Sequence, residues 1–354
     1  MRTKTLIACA GVLSTFGLSL AAPTTAKATP QFQVVATVNV GVNPFGDAMA
    51  PDGSSLWVAN SGTSASPGSV VTLIDPTTYG IQGTIPVGRF PEDIAFARTG
   101  SQAFVTNDDD NTVSVVDTAT RSVTETVDLS TIPMTFPAGI AATPDSNKVF
   151  VTSVAGQRDT SANNIAVLNN SNPANVTVSG TIHLVGSIGR PAITPNGSLL
   201  VTGHDNGLEA PPGAALINPS TNAVVNQLAL NEVGVVPGAT ITPNGKFAYM
   251  TKFSIDGGTG QVWVINLATQ STATVIPMPD RSVYGITASP DGRFVLATDF
   301  SLGEVTVIST ATNQVIANIP VGPNPNDIAF SPDSSKAFVT NEGNTTVSVV
   351  SISG

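Results

Sequence analysis

The sequence predicts an all-β chain folded as a seven-bladed β-propeller of four-stranded antiparallel blades. Three observations carry that prediction: a composition poor in helix-favouring charged residues, a turn motif that recurs seven times, and an N-terminal segment that duplicates part of the last repeat. A length of 354 residues is compatible with one such domain. Apolar residues make up 41% of the chain, enough for a core, and charged residues only 11%, against roughly 25% in average soluble proteins. Val, Thr, Ser, Asn, Gly and Pro fill the difference, supplying β-branched strand residues and turn formers.

The repeat is read from its turns. Pro51-Asp52-Gly53, Pro195-Asn196-Gly197, Pro243-Asn244-Gly245 and Pro290-Asp291-Gly292 share one pattern, and Arg98-Thr99-Gly100, Pro144-Asp145-Ser146 and Pro332-Asp333-Ser334 are variants of it. Successive third positions lie 47, 46, 51, 48, 47 and 42 residues apart, the length of one propeller blade. Pro presets φ, Asp or Asn bonds nearby backbone, and Gly accepts positive φ, so the motif joins two antiparallel strands tightly. Ile94–Phe96 and Ala103–Thr106 flank one such turn, and Thr112–Val116 follows with period-two alternation, predicting strands one, two and three. Asx/Ser/Thr turns such as Asp117–Thr120 and Asn266–Thr269 then lead to strand four.

Closure follows from one duplication. Ala317–Pro325 has its counterpart in Ala36–Pro44, so the N-terminal segment is an outer strand without its own blade, while the seventh repeat stops after three strands. Residues 33–39 are expected to supply the missing strand, pairing edges that would otherwise be exposed.

Residues 1–28 read as a secretory signal peptide. Arg2 and Lys4 precede an apolar run from Leu6 to Ala22, and Ala26-Lys27-Ala28 fits a small-x-small cleavage pattern. Residues 29–354 then form a single propeller domain with no transmembrane span. Cys9, the only cysteine, lies in the leader, so the mature chain has no thiol and owes its stability to packing and ring closure. Cleavage removes three cations and no acid, taking the net charge from −10 to −13. That acidity, with no Lys/Arg cluster to offset it, excludes nucleic acid as a partner.

Phe104-Val105-Thr106-Asn107 and Phe338-Val339-Thr340-Asn341, with Trp57-Val58-Ala59-Asn60 close to them, resemble the signature of the YVTN-repeat β-propeller family. The resemblance covers the mature chain and weakens in blades four to six. It implies export to the periplasm or cell surface and no single shared activity; the family borders on propeller-type lactonases.

Two rings of residues are expected at the channel mouth that carries the strand two–three loops. On strand one the positions are Gly46, Asp93, Gly139, Arg190, Gly238, Gly285 and Asp327; at the end of strand two they are Asn60, Asn107, Ser153, His204, Lys252, Asp299 and Asn341. The asparagines read either as caps on strand ends or as ligand contacts. Arg190, His204 and Lys252 form a local cation set suited to a small anion such as a carboxylate, with a salt-bridge network to Asp93, Asp299 and Asp327 as the other reading. Insertions after strand two, at 61–69, 154–163, 203–213 and 253–259, point to the same face.

No nucleophile elbow, zinc motif or phosphate loop is present. The expected function is therefore a monomeric, noncatalytic binding or interaction module for a small anionic molecule or a protein. One alternative is a lactone hydrolase with His204 as base and Arg190 or Lys252 at the oxyanion. A variant places Ca2+ on Asp93, Asp299, Asp327 and the ring asparagines. A third reading is a structural repeat protein of the cell envelope.

Overall fold

The computed structural model describes residues 29–153, 164–184, 186–205, 212–230, 234–253 and 259–354; the expected leader and its cleavage site lie outside them. The strands form seven antiparallel sheets; in five of them four strands run in sequence order from the channel outward, and blades four and seven vary that order. Blade one is Pro44–Met49, Leu56–Thr63, Ser66–Ile74 and Ile81–Pro86. The inner strands of the other blades are Pro91–Phe96, Pro137–Ala142, Ser187–Ile188 with Ala192–Ile193, Ala239–Ile241, Val283–Ala288 and Pro325–Phe330. Among the described residues there is no helix that could cross a membrane.

Blade four departs from the pattern because its inner strand is split. Pro191 lies between the two short strands, lacks an N–H, and cannot continue the ladder to Leu200–Asp205.

The turns behave as their chemistry requires. Gly53, Gly100, Gly197, Gly245 and Gly292 hold φ between 68° and 73°, and Ser146 and Ser334 adopt 61° and 60° in the same place. The side chains of Asp52, Asn196, Asn244 and Asp291 each accept the backbone N–H two residues on, at 2.9 to 3.0 Å.

Closure is as the duplication predicts, with a slightly longer strand. Gln31–Asn39 pairs antiparallel with Thr346–Ser353, from Gln31 opposite Ser353 to Asn39 opposite Thr346. The last blade thus joins the first described strand to the last three.

The core is divided into seven seams between neighbouring blades, each a separate cluster of buried side chains. One bulky strand-two residue anchors each seam: Trp57, Phe104, Phe150, Val201, Tyr249, Leu296 and Phe338. In the seam between blades two and three, Phe104 and Val115 meet Val149, Val151 and Leu168. All seven anchors are at most 2% exposed, and burying one such side chain contributes about 1.5–3 kcal/mol.

Next to these anchors a strand-two threonine joins the blades by hydrogen bonds. Thr106, Thr251, Thr298 and Thr340 each accept the inner-strand N–H of their own blade, at 2.8 to 3.1 Å. The same hydroxyls donate to the next blade's inner-strand carbonyls, Ala138, Tyr284, Asn326 and Phe45, at 2.6 to 3.1 Å. The bond from Thr340 to Phe45 closes the ring from blade seven to blade one. In blade one Ala59 occupies this place, and the Ser61 hydroxyl instead reaches the Pro91 carbonyl at 2.6 Å. Inner strands approach so closely here that a Cβ at Gly285 would collide with the Asn326 carbonyl oxygen.

Thr298→Val keeps the shape and removes the hydroxyl, leaving the Gly285 N–H and Asn326 carbonyl without it. Urea denaturation is expected to show a loss of about 1–3 kcal/mol, whereas Thr269→Val, in an exposed strand three–four turn, changes stability by about 0.5 kcal/mol or less.

Candidate functional site

A blade presents its edge to the channel, not a face, and this decides which polar residues reach the pore. Strand-two side chains point sideways at neighbouring blades, so the expected outer ring is not at the mouth. Asn60, Asn107, Asn341, Ser153, Lys252 and Asp299 are all at most 2% exposed.

Two of the three asparagines, Asn60 and Asn341, bolt down the connection that enters their blade. Asn60 Oδ1 accepts the Gly41 N–H at 2.9 Å and Asn341 Oδ1 that of Gly322 at 3.0 Å. Their amides, with that of Asn107, donate to strand-three hydroxyls: Thr72 for Asn60, Thr112 and Ser114 for Asn107, Thr346 and Ser348 for Asn341. A Cβ at Gly41, Gly88 or Gly322 would strike the corresponding asparagine.

Of Arg190, His204, Lys252 and Asp299, the first and last are each engaged by groups of opposite charge. Asp299 pairs with Arg281 at 3.0 Å, and Arg281 also pairs with Glu304 at 3.0 Å, all within blade six. The His204 ring lies over Gly213 on the adjacent strand, and the Lys252 stem lies against Gly234. Of the expected loop insertions, 61–69 continues the hairpin to Thr63 opposite Ser66; the other three run through residues outside the described set.

The inner ring does converge. Arg190, from blade four, crosses the channel to the blades opposite: its Nη1 lies 3.0 Å from Asp327 Oδ2, and its Nε lies 3.9 Å from Asp93 Oδ2. Its Nη2 donates to Asn326 Oδ1 at 3.1 Å, and the guanidinium stands 5.3 Å from the Phe45 ring centroid. Asn326 in turn donates to Glu342 at 2.8 Å.

Asp93 and Asp327 serve the backbone as well. Each accepts its own strand's next N–H, Ile94 at 2.8 Å and Ile328 at 2.9 Å. Each also accepts an N–H of the following blade, Ile140 at 3.1 Å and Asp47 at 3.3 Å. These are inner-edge amides with no ladder partner, and two carboxylates satisfy them across the seams.

Asp47 is the residue that sequence reasoning missed. Its strand pairing aligns it with Ile94, Ile140, Ile286 and Ile328, so a lone acid in a column of four isoleucines, Pro191 and Ala239 was the available signal. Its side chain is buried, and neither carboxyl oxygen accepts a well-formed hydrogen bond, the Ala329 backbone N–H being the one donor that acts on it.

Burial, then the charge of Asp327, raises the Asp47 pKa well above the ordinary value, with Arg190 acting in the opposite sense. Burial pushes Asp93 up to about 6 despite Arg190. Burial works against the Arg190 charge too, but Asp327 and Asp93 more than offset it and hold its pKa above the arginine norm. Toward the strand two–three turns, burial and Asp108 raise Glu92, and burial raises Glu342.

This cluster borders a cavity of about 340 Å3 in the channel. Its walls include Met49, Ile286, Ala288, Pro290, Ile328 and Phe330, which lie toward the strand one–two turns, the end opposite the long loops. Among the described residues no group of three or more His, Cys, Asp or Glu is arranged to hold a metal. The acids and asparagines considered for Ca2+ are turned onto Arg190, Arg281 and backbone amides.

With this geometry in place, comparison with known proteins is informative about fold. The chain is 29% identical over 289 residues to the seven-bladed beta-propeller protein Rv1057 of Mycobacterium tuberculosis, covering 81% of this chain and 63% of that one. This chain is a seven-bladed β-propeller protein. It spans less than two thirds of that relative's length. Among solved structures, hydrazine synthase of Kuenenia stuttgartiensis superposes with a TM-score of 0.75 at 21% identity, over 87% of this chain and 95% of that one. The Cps50 (Swd1) β-propeller domain of Myceliophthora thermophila gives 0.71 at 11% identity, over 91% of this chain and 100% of that one. At these identities both share the fold alone. No protein-family model matches the chain.

Arg190→Met removes the single counter-charge from the buried carboxylates, and unfolding measured at pH 7 is expected to show a loss of about 3–5 kcal/mol. Asp93 has a raised pKa, so the folded protein binds more protons than the unfolded chain between about pH 4 and pH 6. Its ionisation lowers stability as pH rises through that window, and the penalty of Arg190→Met therefore shrinks toward pH 4. A loss independent of pH contradicts this account of the cluster.

Proposed function

We propose that this protein is an exported, noncatalytic binding propeller of the YVTN-repeat type, with the central channel as its ligand site. The observation that carries the reading is the cavity of about 340 Å3, in which apolar side chains such as Met49, Ile286 and Phe330 stand beside a charged cluster. That volume falls in the range of small-molecule sites, which combine apolar contact with a few placed polar groups. The YVTN assignment draws support from the repeated Thr and Asn, which have defined tasks in joining and bracing blades. Export draws support from the apolar run and Ala26-Lys27-Ala28.

The same geometry favours binding over lactone hydrolysis. Oxyanion stabilisation needs a positive group aimed at developing charge, and the Arg190 guanidinium is already neutralised by Asp327 and Asp93. It weakens the expectation of an anionic ligand for the same reason.

Thermal shift measurements on the purified chain against carboxylates, lactones, sugars, amines and divalent ions are expected to raise the melting temperature with at least one class. Ala288→Phe, which fills the cavity wall, should abolish that shift. Absence of any shift across the panel overturns the reading; lactone turnover that survives Ala288→Phe would move the active centre elsewhere.

A further inference from the structure

The channel cavity has an electrostatic requirement that its own residues do not meet. Asp47, Asp93 and Asp327 all border it, and Arg190 is the only cation among its lining residues. Asp93 and Asp327 satisfy their oxygens on backbone amides and on Arg190. Asp47 is 6% exposed, and neither of its carboxyl oxygens accepts a well-formed hydrogen bond; the Ala329 backbone N–H is the one group that acts on it in that sense. A buried carboxylate without a donor is costly, and the cost is relieved by a proton or by a cation that brings N–H groups.

The chemistry of the walls restricts that cation. A chelated metal ion lacks its ligand set, since the guanidinium lies between two of the acids. An anion would meet three carboxylates with no spare positive charge. A neutral apolar molecule would fit the walls and leave Asp47 as it was. Met49, Ile286, Ile328 and Phe330 provide an apolar surface beside the acid, suited to a short hydrocarbon body carrying one charged head.

We propose that the cavity binds an organic ammonium ion, its N–H groups donated to Asp47 and its apolar body lying along Met49, Ile286, Ile328 and Phe330. The inference rests on the reading of the channel as the ligand site and names the class of ligand. It also accounts for the position of Asp47, the one acid in a column that holds Ile94, Ile140, Ile286 and Ile328 in four other blades and Pro191 and Ala239 in the remaining two.

The test is calorimetric titration of the purified full chain with n-butylammonium, n-hexylammonium and benzylammonium, with n-butanol and butyrate as uncharged and anionic controls. At least one ammonium ion is expected to bind, and both controls to fail. Asp47→Asn, which preserves shape, should weaken that binding by about tenfold or more while retaining the β-sheet circular dichroism spectrum; Asp47→Ser gives the same readout if the first variant does not fold. Equal affinity in wild type and an Asp47 variant, or no binding by any ammonium ion, overturns the proposal. If butyrate or butanol binds instead and Ala288→Phe blocks it, the channel remains the site and the ammonium class is wrong. If no probe and no member of the wider panel binds, both readings fall.

Discussion

The structure depends on how adjacent inner strands meet without a shared sheet. Each blade ends at the channel in a strand edge whose N–H and C=O groups have no ladder partner on that side, and seven such edges face one another around the axis. Strand-two threonines resolve the problem at four seams by accepting from one blade and donating to the next, and Ser61 makes a related link from blade one. Sheet hydrogen bonds stabilise each blade internally; these hydroxyls, with the bulky seam anchors, convert seven sheets into a ring. The glycines opposite them follow, because a side chain there would occupy the space the neighbouring backbone needs.

The channel charges extend the same logic. Asp93 and Asp327 replace glycine on the blades flanking blade one, and each carboxylate satisfies an amide on its own strand and another across the seam. Acids placed so deep need a counter-charge, and Arg190 supplies it from the far side of the ring. Its reach across the pore coincides with a local defect: Pro191 breaks the inner strand of blade four where Arg190 departs from it. Structural charge and ligand site therefore share one neighbourhood, and Asp47 is the member whose carboxyl oxygens lack a well-formed donor.

Much of the fold was legible in the chain, and the reason is repetition. One misread turn among seven would not have altered the period, and the match between Ala36–Pro44 and Ala317–Pro325 fixed the closure strand to within two residues of its observed start. The site was legible only in part. Aligning strand one brought Asp93, Arg190 and Asp327 to a common level, and they do meet. Aligning the end of strand two gave a ring of polar residues of which six are buried within the blades and His204 is half-buried, because period-two alternation turns those side chains toward neighbouring sheets. Asp299 found Arg281, a residue outside any repeat alignment, and Arg190 found Asn326 and Phe45.

The sequence by itself determined the number of blades, their strand order, the turns and the way the ring closes, since each follows from local chemistry repeated at a regular spacing. It also determined which residues stand at the inner edge. Only the tertiary structure decided which charges neutralise one another and where the cavity lies. Those are distances across a pore between blades far apart in the chain, and no local pattern encodes whether a guanidinium on blade four ends beside the acids of blades two and seven or short of them.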